Sequence, residues 1–412
     1  MSMLSIIVII LVAGYFLERY LEYLNAKAQS EILPDALKGL YDAEEYRKSQ
    51  QYEKANRQLS QVSDTLSLVL MLALLLTGSF GKLDDWAYSV TGDELYTTLL
   101  FFGVIALASD IISTPFSIYK TFVIEKKFGF NKMTPALYVS DKIKGYVLGV
   151  LLGGSLLALF AMIYQLAGPA FWIYAWITFS LVMLFMFMFY TSLILPIFNK
   201  LKPLENSELK NAITEYCNKT GFRMNNIMVM DGSKRSTKAN AFFSGLGGKK
   251  KIVLFDTLIE KHSMPELVAV LAHETGHYKL KHTVKGLIIS LLQTGIMLFL
   301  FSVFMENQTI AAALGGTRHT IELGLLAFGI LYTPVSMITG LLGNILSRKH
   351  EFEADEYAAK TSDGSALKEA LKKLSVNNLS NLNPHPAYVF FYYSHPPLLQ
   401  RLNALDKVNQ TF

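Results

Sequence analysis

The chain has a single cysteine, Cys217, in 412 residues, so no internal disulfide is possible. A lone thiol without a partner reads as a small packed side chain rather than a nucleophile. Charge is also scarce: 17% of residues are charged against 51% hydrophobic, and the net charge is only +5. The lysines and arginines sit beside apolar runs, where membrane topology accounts for them, so none are left over to bind nucleic acid. The apolar stretch 3–17 has no basic region before it and no Ala-x-Ala site after it; Glu18, Arg19 and Tyr20 follow instead. A retained first span is expected there, not a cleaved signal. What remains is a mostly α-helical, polytopic membrane protein rather than two or three soluble domains.

Seven apolar runs fall near residues 3–24, 65–81, 97–119, 144–167, 170–196, 286–305 and 321–346. Each approaches the roughly 20 residues that cross a bilayer as a helix. The fourth and fifth are joined by a short turn at Gly168-Pro169. The segments between them alternate in charge. Residues 25–64 carry Lys27, Lys38, Arg47, Lys48, Lys54 and Arg57, and 120–143 carry Lys120, Lys126, Lys127, Lys132 and Lys142. Residues 82–96 are acidic, with Asp84, Asp85, Asp93 and Glu94. The positive-inside rule then puts the N-terminus outside and the two hydrophilic segments, 197–285 and 347–412, in the cytoplasm. The expected organisation is five spans in 1–196, a soluble segment at 197–285, two spans in 286–346 and a C-terminal soluble segment at 347–412. Asp110, inside the third span, either bonds a neighbouring helix or lines a water-filled cavity.

The first soluble segment contains His273-Glu274-Thr275-Gly276-His277. Ser263-Met264-Pro265-Glu266 upstream is a capping-box pattern with an early proline, which starts a helix running into the two histidines. Four residues apart on a helix, His273 and His277 share one face and can grip one zinc, with Glu274 beside it as general base. A third ligand is offered by Arg348-Lys349-His350-Glu351-Phe352-Glu353-Ala354-Asp355, just past the last span. Arg348, Glu351 and Asp355 share a helical face, while Glu353 is turned about 200° away from Glu351. Glu351 would complete a His2Glu site with one open position. Asp355 would orient a ligating histidine from behind, and Arg348 would hold a carboxylate or a substrate group. The competing account makes 348–355 a solvated charged face. His395 is a candidate oxyanion donor by residue type alone.

Ile227–Met230 and Ile252–Phe255 read as strands. Between them, Ala239-Asn240-Ala241-Phe242-Phe243-Ser244 and a glycine turn at 245–248 suggest a hairpin. Its edge strand would pair with an extended peptide and bring Asn240 and Ala241 to the substrate, or it would simply cover the zinc helix.

Taken together, HETGHYKLKH at 273–282, SRKHEFEAD at 347–355, ANAFFSG at 239–245, YSHPPLLQRL at 393–402, FVIEKKFGFNKMT at 122–134 and LPIFNKLKPLENSELK at 195–210 resemble the type-I CAAX prenyl proteases over nearly the whole chain. That resemblance implies an integral-membrane zinc metalloprotease whose seven transmembrane helices enclose a water-filled chamber. The zinc would sit near its cytoplasmic end, held by His273, His277 and Glu351. The substrate implied is a prenylated C-terminal Cys-a-a-X sequence, cut after the prenylcysteine. Glu274 matches the family's base, Asp355 the residue behind a ligand, and His395 a histidine that helps stabilise the transition state. Asn240 and Ala241 fall on the substrate strand. No endoplasmic-reticulum retention signal follows Lys407, and the chain is short for a eukaryotic member, so a prokaryotic source and a bacterial inner membrane are expected. Two other functions compete: a quality-control metalloprotease for membrane proteins, and a transporter or channel with an ion-binding His/Glu cluster.

Overall fold

A computed structural model describes residues 1–29, 42–205, 207–222, 226–245 and 251–409. Most of the expected glycine turn, and Lys38, lie outside these residues.

The N-terminal half is helical. Helix α1, Met3–Ala28, is capped by Ser2, whose hydroxyl accepts from the Ser5 N–H at 3.1 Å. Helix α2, Ala43–Leu76, is capped by Asp42 and runs from a polar first half into an apolar second half. This corrects the expected span at 65–81. The apolar run is the end of a 34-residue helix that stops at Leu76, because Gly78 turns the chain in a left-handed conformation (φ 62°). A Cβ on Gly315 would lie 2.5 Å from the Gly78 Cα, so both positions also need the missing side chain. The supposed connection at 82–96 is mostly helix α3, Ser79–Thr91.

Helix α4 (Glu94–Tyr119), α5 (Pro135–Leu148), α6 (Ser155–Ala167) and α7 (Phe171–Leu193) follow. Asp110 of α4 finds its partners on α5, with Lys142 Nζ at 2.9 Å and the Tyr146 hydroxyl at 2.5 Å. The interhelical bond expected of Asp110 is observed, and its side chain stays 31% exposed.

Among the described residues, five helices are long and apolar enough to cross a membrane, or six if a pair bent by 52° counts as one span. One of the five is the continuous stretch Pro135–Phe198, 64 residues long. It doubles back at Gly168 (φ 53°), so that Phe160 of α6 meets both Phe171 and Phe179 of α7.

A four-stranded sheet lies beyond α7. Its strands are β1 (Leu201–Pro203), β2 (Asn226–Met230), β3 (Ala241–Ser244) and β4 (Lys251–Phe255), in the order β1-β2-β4-β3. The two strands expected at 227–230 and 252–255 are adjacent and parallel. β3 pairs antiparallel with β4, placing Phe242 opposite Val253, and forms one edge of the sheet. β1, which the sequence pattern did not suggest, is the other edge.

Helix α8, Ser207–Lys219, packs into the core beside the sheet through Leu209, Ile213 and Tyr216. Helix α9, Met264–Lys279, carries the paired histidines. It ends at Leu280, and Lys281 adopts φ 59°, so the next helix, α10 (His282–Phe304), starts in a new direction. The membrane helix therefore begins five residues after His277 rather than nine. Helices α11 (Ile321–Leu331) and α12 (Thr333–Thr361) make the bent pair. The chain closes with α13 (Gly364–Asn377), α14 (Pro386–Tyr392) and α15 (Leu398–Asn409).

The apolar helices pack in a circuit: α1 on α2, α2 on α4, α4 on α6, α6 on α7, α7 on α10, α10 on α11, and α11 back on α1. Only 6–17% of residues in their most apolar windows are buried. A further core is separate from the apolar stretches of these helices. It gathers Ile213, Ile252, Leu254, Leu258, Leu271, Leu367 and Leu405 around α9. Cys217 packs in it, and burial pushes its thiol up to about 11, which makes it the inert side chain expected.

The crossing of α9 and α12 positions everything that follows. A Cβ on Gly276 would sit 3.2 Å from the Ala354 backbone and from the Tyr357 Cβ, tighter than nearly all real contacts. Gly276→Val should therefore wedge the helices apart at a cost of about 1–3 kcal/mol. The check is the thermal melting midpoint in detergent: it should fall for Gly276→Val and stay nearly unchanged for Gly340→Val, where an added Cβ meets nothing within 4 Å. Equal midpoints would show that the crossing tolerates bulk.

Candidate active site

Helix α9 starts as its capping signals require. The Glu266 carboxylate accepts from the Ser263 N–H at 3.0 Å and also pairs with Lys373 of α13 at 2.7 Å. Three turns on, His273 and His277 face α12. Their Nε2 atoms are 3.1 Å apart. The Glu351 carboxylate closes the triangle, with Oε1 3.2 Å from His277 Nε2 and Oε2 3.5 Å from His273 Nε2. Two donors each about 2.1 Å from a tetrahedral zinc lie about 3.4 Å from one another, so a single ion fits this triangle. Glu351 Oε2 is buried and makes no hydrogen bond among the described residues, though Arg401 Nη1 lies 3.3 Å away, which leaves it a lone pair for a metal.

The outward nitrogens of both imidazoles are already engaged. His273 Nδ1 is 2.9 Å from Asp355 Oδ1, and His277 Nδ1 is 3.1 Å from His282 Nδ1. Each ring thus offers Nε2 to the shared point. Burial pulls the His273 pKa down, but the Asp355 and Glu351 carboxylates outweigh it and hold the ring at about 9. A metal entering the triangle must displace that proton. Glu274 sits beside the ligands. Burial pushes its carboxyl up and the two histidines pull it back, leaving it above the ordinary glutamate range and better placed as a base near neutral pH.

The remaining expected residues divide. His395 reaches the site, its Nε2 3.4 Å from Glu351 Oε1, with a side chain 65% exposed to the open space beside it. Glu353 points away from the triangle and binds His282 at 2.9 Å, as helical geometry requires. Arg348 differs from its expected role. It donates to the carbonyls of Val389 and Tyr393, at 3.1 and 2.5 Å, and so anchors the segment that leads to His395 rather than a carboxylate. The arginine that does hold carboxylates is Arg401 of α15. It grips Asp355 with two hydrogen bonds, at 2.8 and 2.6 Å, and lies 3.3 Å from Glu351. Its only signal in the sequence is its place six residues after His395 in the YSHPPLLQRL segment.

Two cavities meet at Glu274 and His277. One, of about 470 Å³, is lined by Asn240, Ala241, Val270, Leu371, His395 and Arg401. The other, of about 560 Å³, runs between α10 and α12 past Gly286, Ser290, Gly340 and Gly343. Phe242, Glu274 and His277 border both, so strand β3 runs past the metal triangle from one cavity to the other. The segment 122–134 holds the start of that strand. Phe130 accepts from the Thr237 N–H at 3.1 Å, and Lys238 lies over the Phe130 ring at 4.4 Å. Removing Arg401 would leave the Asp355 carboxylate buried without its cation. Arg401→Met should cost about 3–5 kcal/mol, lowering the melting midpoint and weakening metal retention. A midpoint and metal content equal to wild type would contradict this arrangement.

Residues 22–200 match the family described as CAAX prenyl protease N-terminal, five membrane helices, and residues 203–409 match Peptidase family M48. The chain is 34% identical to CAAX prenyl protease 1 of Saccharomyces cerevisiae, covering 97% of this chain and 94% of that one. It is also 34% identical to the CAAX prenyl protease 1 homolog of Arabidopsis thaliana, with 96% of each chain covered. The human CAAX prenyl protease 1 homolog is 32% identical over 92% of this chain and 89% of its own. The crystal structure of S. mikatae Ste24p superposes with a TM-score of 0.93 at 33% identity, covering 98% of this chain and 99% of that one. Matched by the two family models over residues 22–200 and 203–409, and by relatives at 32–34% identity over nearly its whole length, the chain belongs to the CAAX prenyl protease branch of the M48 metallopeptidases.

Proposed function

We propose that this protein is a zinc-dependent endopeptidase that cleaves prenylated C-terminal Cys-a-a-X sequences and releases the last three residues. The observation that carries the reading is the convergence of His273, His277 and Glu351 beside Glu274, on helices continuous with or adjoining membrane spans. Glu351 leaves the bilayer region on α12 itself, and His277 lies five residues before α10. A site tethered in this way meets a substrate whose C-terminus is held at the membrane by its lipid. Glu274 lies buried beside the cluster, where an endopeptidase needs a general base and an ion-binding transporter has no use for one, which weighs against a transporter.

Zinc, when bound by these three residues, supplies a water acidic enough to ionise near neutral pH and polarises the scissile carbonyl. Glu274 takes the proton of the attacking water and delivers it to the leaving amine. Asp355, locked by Arg401, keeps His273 in the tautomer that presents Nε2. His395 faces the open side of the site and donates to the developing oxyanion. The free edge of β3, with Asn240 and Ala241, holds the peptide extended by strand addition. Its Asn240 carbonyl is already bonded to the Phe255 N–H at 3.1 Å, which fixes the strand's position.

The circuit of helices supports a chamber walled by seven spans, counting the doubled-back stretch as two and the bent pair as one. The charge pattern of the connecting segments supports an N-terminus outside and a catalytic site and C-terminus in the cytoplasm. That placement holds for a bacterial inner membrane as for the endoplasmic reticulum.

The test is cleavage of a farnesylated Cys-a-a-X peptide by the purified protein, with bound metal measured alongside. Wild type and Glu274→Gln should each carry about one zinc per chain, and the variant should lose at least about 10²-fold in activity. Glu351→Ala should lose the zinc. Equal cleavage by wild type and Glu274→Gln would sink the mechanism.

A further inference from the structure

We propose that His282 is the positioning residue for the metal ligand His277, acting as the middle member of a chain that ends on Glu353. The inference rests on the reading that His277 Nε2 binds the metal. If it does, the ring's proton is on Nδ1. That nitrogen lies 3.1 Å from His282 Nδ1, which must then be bare to accept it. The His282 proton is thereby placed on Nε2, and 2.9 Å from Nε2 is the Glu353 carboxylate, a pure acceptor. Every donor has an acceptor in one direction only, so the chain selects the tautomer that His277 needs.

The geometry is built for this. His282 is 5% exposed, opens α10, and is stacked on His350 of α12 with ring centres 3.9 Å apart and planes 9° from parallel. The stack fixes the ring plane, and Glu353 fixes its rotation about the side chain. The left-handed turn at Lys281 brings His282 back toward His277. The two metal-binding histidines are therefore supported differently: His273 by an arginine-locked carboxylate, His277 by a neutral imidazole. His282, His350 and Glu353 also lie close enough to be considered as a metal site of their own. The ring geometry and the proton placement both favour the chain over that use. Parallel stacked rings cannot both direct an in-plane lone pair at one ion. A metal on His282 Nε2 would also put its proton on Nδ1, facing the His277 proton across 3.1 Å.

The experiment measures the zinc dissociation constant of the full-length protein in detergent by chelator competition, with melting midpoints of the chelator-stripped protein as a folding control. His282→Phe keeps a flat ring against His350 but removes the acceptor, and should weaken zinc about 10–100-fold with little change in the stripped midpoint. His282→Gln, which can accept from His277 and donate to Glu353, should restore most of the affinity. Glu353→Ala should weaken zinc several-fold and serves if His282→Phe does not fold. His277→Ala is the reference for the ligand itself. If it loses zinc while His282→Phe and Glu353→Ala bind as wild type does, the chain is overturned and the ligand set stands. If His277→Ala keeps zinc at wild-type affinity, the ligand reading falls and the chain with it. A second zinc in wild type that is lost in Glu353→Ala would replace the chain with a metal site.

Discussion

The close crossing of two helices at Gly276 and Ala354 is the constraint on which the rest of the site depends. His273 and His277 of the candidate metal site flank that glycine, and Glu351 and Asp355 flank that alanine. With any side chain at position 276 the helices would separate by tenths of an ångström or more, and the donor triangle would open with them. Metal ligation tolerates little of this, because donor distances to zinc are set within about 0.2 Å. The motif's glycine is thus a packing requirement that serves chemistry on the neighbouring turns. The crossing also joins two structures of different kinds, since α9 is buried in a packed core while the first half of α12 is largely apolar and exposed.

That junction explains why so many charges are buried here without penalty. Arg401, Asp355, His273 and Glu351 form one network in which each group has a partner at hydrogen-bond or ion-pair distance. Buried ions are tolerated only when such pairing is complete. Arg348 completes the frame by holding the carbonyls of Val389 and Tyr393, and so fixes the turn that delivers His395. The membrane helices contribute the opposite property. They meet mainly their neighbours around a circuit and bury little of their apolar surface, and a cavity of about 560 Å³ runs between α10 and α12 to the network.

The features legible in the sequence are those governed by local periodicity. His273 and His277 share a face because the helix repeats every 3.6 residues, and the same geometry separates Glu351 from Glu353. The capping box at Ser263 and the packed state of Cys217 follow from equally local rules. What could not be read there comes from tertiary placement. Arg401 reaches Asp355 from a separate helix, and nothing in its neighbours announces that meeting. Arg348 shares a helical face with Glu351, but periodicity cannot say which chain packs against that face. The end of α2 at Leu76 and the turn at Lys281 depend on left-handed backbone, which is imposed at Lys281 on a residue that does not favour it. The strands of the sheet other than β1 were legible as short apolar and aromatic runs, whereas the order that puts β3 at an edge is set by tertiary pairing and β1 was too short to signal itself.

The account stands or falls on the identity of the metal's donors. Zinc K-edge X-ray absorption on the purified, zinc-loaded protein measures it directly. The predicted first coordination sphere holds two imidazole nitrogens and oxygen donors at about 2.0–2.2 Å, with no sulfur. A third imidazole, a sulfur donor at about 2.3 Å, or a zinc bound only by oxygen would contradict the assignment of His273, His277 and Glu351.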